Sequence, residues 1–130
     1  MEASQRYGIH PYLLWSIAKK ESGFKASAIG KNKDGSEDIG IMQINSWWLE
    51  PRKSQSSGKR LGDYGITRSA LFDPCTNIHA GAWVLAQNIQ SYGNTWKAVG
   101  AYNAITPWKQ DRYAKDVKRI LEKALQENGL

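Results

Sequence analysis

At 130 residues the chain has the length of one compact domain and can bury a core without metals or several disulfides, so it is read as a single domain over residues 1–130. Its 41% hydrophobic and 23% charged residues exclude a disordered polar chain. The formal charge of +6 and pI near 9.5 imply an anionic partner, whether nucleic acid, anionic lipid or a carboxylate-bearing cell-wall polymer, without choosing among them.

Six Trp and six Tyr supply flat amphipathic rings that serve equally as core and as stacking platforms. No apolar run approaches the ~18 residues of a membrane span, and Met1-Glu2-Ala3-Ser4 does not open a signal peptide. An exported protein with this chain has had its signal removed. The one cysteine, Cys75, excludes a disulfide framework within the chain and a cysteine-rich metal site. It is either a buried thiol or a residue that has lost a partner.

Helix signals dominate. A short polar helix is expected at Ala3 to Tyr7, interrupted by Gly8, and Pro11 opens a second helix to about Glu21. Leu14, Ile17 and Ala18 repeat at helical spacing and predict a buried stripe, on which Glu21 also falls. From Lys25 to Asp38 the periodicity stops around Asp34-Gly35, a tight-turn signal, and a small two- or three-stranded sheet or structured loop is expected. The apolar segment Gly40 to Trp48 reads as a short helix, and the basic, serine-rich stretch Pro51 to Leu61 as a mobile surface loop.

Asp73-Pro74 starts a helix whose stripe is Ile78, Ala82, Leu85 and Ile89 and which Gly93 ends. Asn94 or Thr95 caps the next helix, Trp96 to Ala104. A last helix runs from Pro107 to about Gln126, with Tyr113, Val117, Ile120, Leu121 and Ala124 inward and Lys115, Lys118 and Lys123 on a solvated face.

Glu21 is the strongest candidate for chemistry. A carboxyl group on the apolar face of a helix loses solvation, so its pKa is expected to rise, which suits an acid that protonates a glycosidic oxygen and then acts as a base. The plainer alternative is a helix-end carboxylate paired with Lys25 or exposed. Asp38 stands 17 residues later, beyond the polar hairpin. Two carboxyl groups about 5 to 5.5 Å apart suit a nucleophile, and about 6.5 to 9.5 Å leaves room for a water. Asp34 and Glu37 read as turn residues in a solvated hairpin.

Three motifs in order, Glu21-Ser22, Gly40-Ile41-Met42-Gln43-Ile44-Asn45 and Ala101-Tyr102-Asn103-Ala104, resemble those of the soluble lytic transglycosylases. The likeness spans Tyr7 to about Tyr113. Asp73-Pro74-Cys75, Asn77-Ile78 and the run Thr95 to Gly100 resemble the small specialised members that accompany type III secretion, type IV pilus and conjugation machines. Glu21 to Trp48 is also similar to chicken-type lysozymes, in which an acid matches Asp38; most lytic transglycosylases lack one there. Ile105 departs from the family's common Gly after Ala104, and no cysteine precedes Cys75, whereas the subgroup tends to have an early one able to pair with it.

The resemblance implies a mainly α, lysozyme-like α+β fold: a helical domain with a small β-hairpin or sheet lobe flanking a substrate groove. It implies that Glu21 protonates the oxygen between N-acetylmuramic acid and N-acetylglucosamine, then removes the C6 hydroxyl proton to leave a 1,6-anhydromuramic end. Asp38 would stabilise the oxocarbenium-like charge, or help a water attack. Ser22, Met42, Gln43, Tyr102 and Asn103 match groove-lining positions, and Tyr113 resembles a tyrosine near the acid. Trp47 and Trp48 are candidate sugar platforms, although one of an adjacent pair usually points inward. Plainer roles remain open: Met42 as core filler, Ser22 as a helix-end hydrogen bonder, Tyr102 and Tyr113 as core rings.

The implied partners are peptidoglycan glycan strands and a secretion or pilus machine protein, with no nucleic acid and no membrane span. The expected state is a periplasmic monomer without cofactor or metal. Asn32-Lys33-Asp34-Gly35 copies the middle of a calcium loop, but Ile41 stands where the bidentate Glu belongs. His10 and His79 form no HExxH, and no phosphate-binding glycine loop occurs. A non-catalytic wall-binding module and a basic nucleic-acid binder are the competing readings. Against the second, the basic residues of the last helix alternate with acids.

Overall fold

Why the helices start and stop where they do follows from proline and glycine. A computed structural model describes residues 2–50 and 60–129. The chain divides into two compact units, Met1–Lys20 with Gly81–Leu130, and Glu21–Ala80. The helices are α1 (Glu2–Tyr7), α2 (Pro11–Ser22), α3 (Pro74–Tyr92), α4 (Trp96–Asn103) and α5 (Pro107–Glu127). Proline opens α2, α3 and α5, where its missing N–H costs nothing. Gly8, at φ 66°, ends α1 in a left-handed cap, and the Ile9 N–H closes it on the Ser4 carbonyl at 3.0 Å. Gly93, at φ 77°, ends α3 in the same way, its N–H donating to Ile89 O at 2.8 Å.

In the first unit, Leu14, Ile17 and Ala18 of α2 are buried as the spacing predicts, and so are Tyr113, Val117 and Ala124 of α5. Ile120 and Leu121 are half-buried. The expected solvated face of α5 carries the ion pairs Lys115–Asp111, Lys118–Glu122 and Lys123–Glu127. Helices α4 and α5 approach so closely at Gly100 that a Cβ there would meet the Gln110 backbone. Thr95 occupies the N-cap of α4, but its side chain accepts no cap bond there; its hydroxyl donates backwards to Tyr92 O at 3.1 Å.

The second unit holds a three-stranded antiparallel sheet, β1 (Ile29–Lys31), β2 (Glu37–Ile39) and β3 (Ile44–Asn45). Gly30 pairs with Asp38 and Asp38 with Asn45. The turn between β1 and β2 is the one Asp34-Gly35 predicts. Gly35 takes φ 88°, and Asp34 Oδ1 accepts from Ser36 N–H and Ser36 Oγ at 2.9 and 2.6 Å. Both bonds hold the Asp34 carboxyl below its usual pKa.

Residues 40–48 do not form the expected helix. Gly40 and Gln43 both adopt left-handed backbone, at φ 78° and 53°, and the Met42 N–H donates to the side chain of Asn77 instead of to a helical carbonyl. The segment is a turn leading into β3, and only Ser46–Leu49 coils, as a short 3-10 helix capped by Asn45 Oδ1 on the Trp47 N–H. Two further 3-10 turns, Leu61–Tyr64 and Ser69–Phe72, carry no periodicity that a sequence reading detects. Of the stretch read as a mobile loop, 51–59 lies outside the described residues, while Leu61 is buried. Cys75 is exposed in the first turn of α3, which removes the buried-thiol alternative.

The architecture is therefore mainly α with a small sheet, as expected. Among the described residues, no helix is long and apolar enough to cross a membrane.

Candidate functional site

Glu21 and Ser22 are the last two residues of α2, and both are half-buried. The stripe ahead of Glu21 is buried, whereas Glu21 itself is partly exposed. Two successive left-handed residues, Gly23 at φ 60° and Phe24 at φ 68°, then turn the chain sharply away. Ser22 fixes this end. Its Oγ donates to Ile41 O at 2.7 Å and accepts the Lys25 N–H at 3.1 Å, so the helix-end bonding role is the one seen.

Asp38 lies mid-way along β2, half-buried. Each carboxylate oxygen accepts from one amide: Oδ1 from Asn45 Nδ2 at 3.0 Å and Oδ2 from Asn32 Nδ2 at 3.2 Å. The same two amides donate to Ser36 Oγ, both at 3.1 Å. Asp38 thus sits in a polar network that fixes the plane of its carboxylate. Gly30 opposite is closely approached, since a Cβ there would stand 3.1 Å from Gln43 Oε1 and 3.7 Å from Asp38 Oδ2. Sequence reasoning missed Asn32, Ser36 and Asn45 as partners of Asp38. The available signal was register, because a tight hairpin followed by a third strand sets Asn45 across from Asp38.

Glu37 is not the solvated turn residue expected. It is on β2 and binds Arg68 through both oxygens, Nε to Oε1 at 3.0 Å and Nη2 to Oε2 at 3.2 Å. That hydrogen bond, with the charge of the guanidinium, holds the Glu37 carboxyl below its usual pKa.

Met42 is wholly buried and fills the core of the second unit. Gln43 uses Nε2 on two backbone carbonyls, Ala28 O at 3.2 Å and Gly40 O at 3.0 Å. Trp47 is 44% exposed and Trp48 half-buried, their rings edge-on at 4.9 Å, so the inward member of the pair is Trp48. The Arg60 guanidinium stacks on the Trp47 ring at 3.6 Å. Glu21, Ser22, Asp38, Met42, Gln43 and Trp48 all belong to the second unit. Tyr102, half-buried, and Asn103, exposed, end α4 in the first unit, and Tyr113 is buried on α5. Among the described residues, no three His, Cys, Asp or Glu side chains gather as metal ligands would.

Residues 1–123 match the model of the transglycosylase SLT domain. The chain belongs to the SLT transglycosylase family. Invasion protein IagB of Salmonella typhimurium is 43% identical over 122 residues, covering 90% of this chain and 71% of that protein. Protein IpgF of Shigella flexneri is 42% identical over 123 residues, with 91% and 75% covered. The X polypeptide of Escherichia coli K12 is 39% identical over 125 residues, with 91% and 69% covered. Membership gives the SLT chain a lytic transglycosylase-like function, with peptidoglycan as substrate class. Both carboxylates raised by sequence, Glu21 and Asp38, lie inside the matched region, as do all the motif residues.

Proposed function

We propose that the chain cleaves the β-1,4 bond between N-acetylmuramic acid and N-acetylglucosamine, with Glu21 as the single acid/base and a 1,6-anhydromuramic end as product. One observation carries this reading: the helix turn bearing Glu21 is tied by Ser22 Oγ to Ile41 O, inside the loop that follows Asp38 in the same unit. A general acid that later serves as base must keep one position through both steps, and this bond supplies the constraint. The half-buried position leaves the carboxyl reachable by a sugar oxygen. Proton donation to the bridging oxygen frees the leaving sugar. The carboxylate then takes the C6 hydroxyl proton as that oxygen closes on C1, so no water is consumed.

The network around Asp38 favours a second, hydrolytic reading. A carboxylate oriented by Asn32 and Asn45 suits electrostatic stabilisation of positive charge at C1, and also a water-activating role. Tyr102, Asn103 and Trp48 are assigned to sugar recognition, Ser22, Gln43 and Met42 to shaping the site, and Tyr113 to its support. Residues 1–130 act as one domain and as a monomer. The same reading has the chain open the wall locally, in the periplasm, for a secretion, pilus or conjugation apparatus; its relative IagB is named an invasion protein.

The test is digestion of purified sacculi followed by mass spectrometry. Anhydro ends are expected from the native chain and no release from Glu21→Gln. Turnover by Glu21→Gln removes the assignment. Reducing ends that disappear in Asp38→Asn favour the hydrolytic reading.

A further inference from the structure

The turn between α4 and α5 carries an exposed surface that the assignments above do not use. Ile105 is 95% exposed and Trp108 62% exposed, and Thr106, Pro107 and Lys109 are exposed with them. Holding an isoleucine and an indole in water stabilises nothing within the fold. Yet the turn is firmly built. Gln110, only 7% exposed, donates from Nε2 to Ala104 O at 2.8 Å and from its N–H to Thr106 O at 3.0 Å. Its backbone rests against Gly100, where no Cβ fits. The apolar pair therefore stands on a fixed base, the arrangement that lowers the ordering cost of binding.

Cations flank it. Lys109 Nζ lies 5.6 Å from the centre of the Trp108 ring, and Arg112 follows one helical turn after Trp108, exposed. The later cations of α5 are committed: Lys115 to Asp111, Lys118 to Glu122, Arg119 to Asp116 and Lys123 to Glu127. Among the described residues, Lys109 and Arg112 have no carboxylate partner. The charge is also lopsided, since ten Lys and Arg against five Asp and Glu leave the first unit with +5 of the chain's +6.

We propose that this turn is a second docking site for peptidoglycan, taking a part of the polymer beyond the bond being cut. The Trp108 indole and Ile105 lie against the apolar face of a sugar ring, and Lys109 and Arg112 take carboxylates of the attached peptide. The inference rests on peptidoglycan being the substrate class, but not on Glu21 being the acid. A polymer that repeats sugars and carboxylates engages two sites on one protein with a gain in avidity. A lipid surface fits less well, because two apolar side chains give little insertion and the rest of the exposed face of α5 is charged.

The experiment is sedimentation with insoluble peptidoglycan on ice in the Glu21→Gln background, with released soluble muropeptides assayed in the same tubes, so that binding is read on intact polymer whether or not Glu21 is the acid. Two double variants are compared with it, Ile105→Ser/Trp108→Ala and Lys109→Glu/Arg112→Glu. Each is expected to weaken binding about tenfold, the scale of losing one anchoring contact. With Glu21 restored, each is expected to turn over short soluble glycan fragments at the native rate, with an unchanged Tm. Undiminished sedimentation overturns the proposal, and so does an equal loss of turnover on short fragments. Association with vesicles of anionic phospholipid that the variants abolish also overturns it, assigning the turn to a membrane instead.

Discussion

Replacing Asn77 tests how the second unit is held. The side chain is fully buried and makes three hydrogen bonds: Nδ2 donates to Ile39 O at 2.9 Å and to Leu71 O at 2.8 Å, while Oδ1 accepts the Met42 N–H at 2.8 Å. In Asn77→Ala the buried Met42 N–H and Leu71 O lose their partner at once, and Ile39 O, also on the sheet ladder, loses one donor. Each unsatisfied group costs about 1 to 3 kcal/mol, and a water entering the small cavity recovers part of that, so a loss of about 3 to 5 kcal/mol is expected. Against a total stability of about 5 to 15 kcal/mol this is about a fifth or more, and Tm falls by about 10 to 20 °C. Urea unfolding measures the loss, and amide hydrogen exchange at Met42 locates it. Asn77→Asp retains the acceptor for Met42 but neither donor, and is expected to be at least as damaging, since it buries a charge facing two carbonyls. A loss under about 1 kcal/mol in Asn77→Ala would refute the reasoning, because that is the cost of one ordinary hydrogen bond rather than of two orphaned groups and a third weakened one.

The Glu37–Arg68 pair predicts a pH effect. The Glu37 pKa is depressed in the folded chain relative to its ordinary value of 4.5, so the pair's contribution is complete above that value and is lost as pH falls through the folded pKa. Arg68→Gln is expected to move the Glu37 carboxyl titration upward, read by NMR, and to flatten the acid limb of the stability profile; an unmoved titration refutes the pairing. Gly100→Ala is expected to destabilise the first unit by about 1 to 3 kcal/mol in urea unfolding, since a methyl group has no room against the Gln110 backbone. Native stability in that variant would show that α4 and α5 separate freely.

The helices of this chain are legible because their ends are written in local chemistry. Pro11, Pro74 and Pro107 open them and Gly8 and Gly93 close two of them, each acting within a few residues. The stretch 40–48 is misread because its fate depends on residues far along the chain. Its apolar spacing suits a helix, but Asn77, 35 residues from Met42, takes the N–H that a helix would use. Gly40 is confined there too, with the Asn77 side chain and the Leu71 carbonyl where a Cβ would go. Glu37 is misread for the same reason, since Arg68 lies 31 residues away. At the candidate site the residue types point to the two carboxylates without revealing their supports. Asn32, Ser36 and Asn45 are ordinary turn and strand residues until the register brings them to Asp38.

Much of what the motifs specify is scaffolding, and hydrogen-bond capacity shows why. Ser22 Oγ has one hydrogen, which goes to Ile41 O, and it accepts from Lys25, leaving a single lone pair. Both hydrogens of the Gln43 amide go to backbone carbonyls, and only Oε1 keeps acceptor capacity, close over Gly30. These side chains have little left with which to hold a sugar and much to do with where Glu21 and Asp38 stand. Ser22→Ala is therefore expected to lower stability by about 1 kcal/mol and to reduce kcat while leaving KM nearly unchanged, because the helix end loosens without removing a substrate contact. Steady-state turnover of soluble glycan fragments measures the split. A raised KM at native kcat would instead place Ser22 against the sugar, and the positioning argument for this residue would fail.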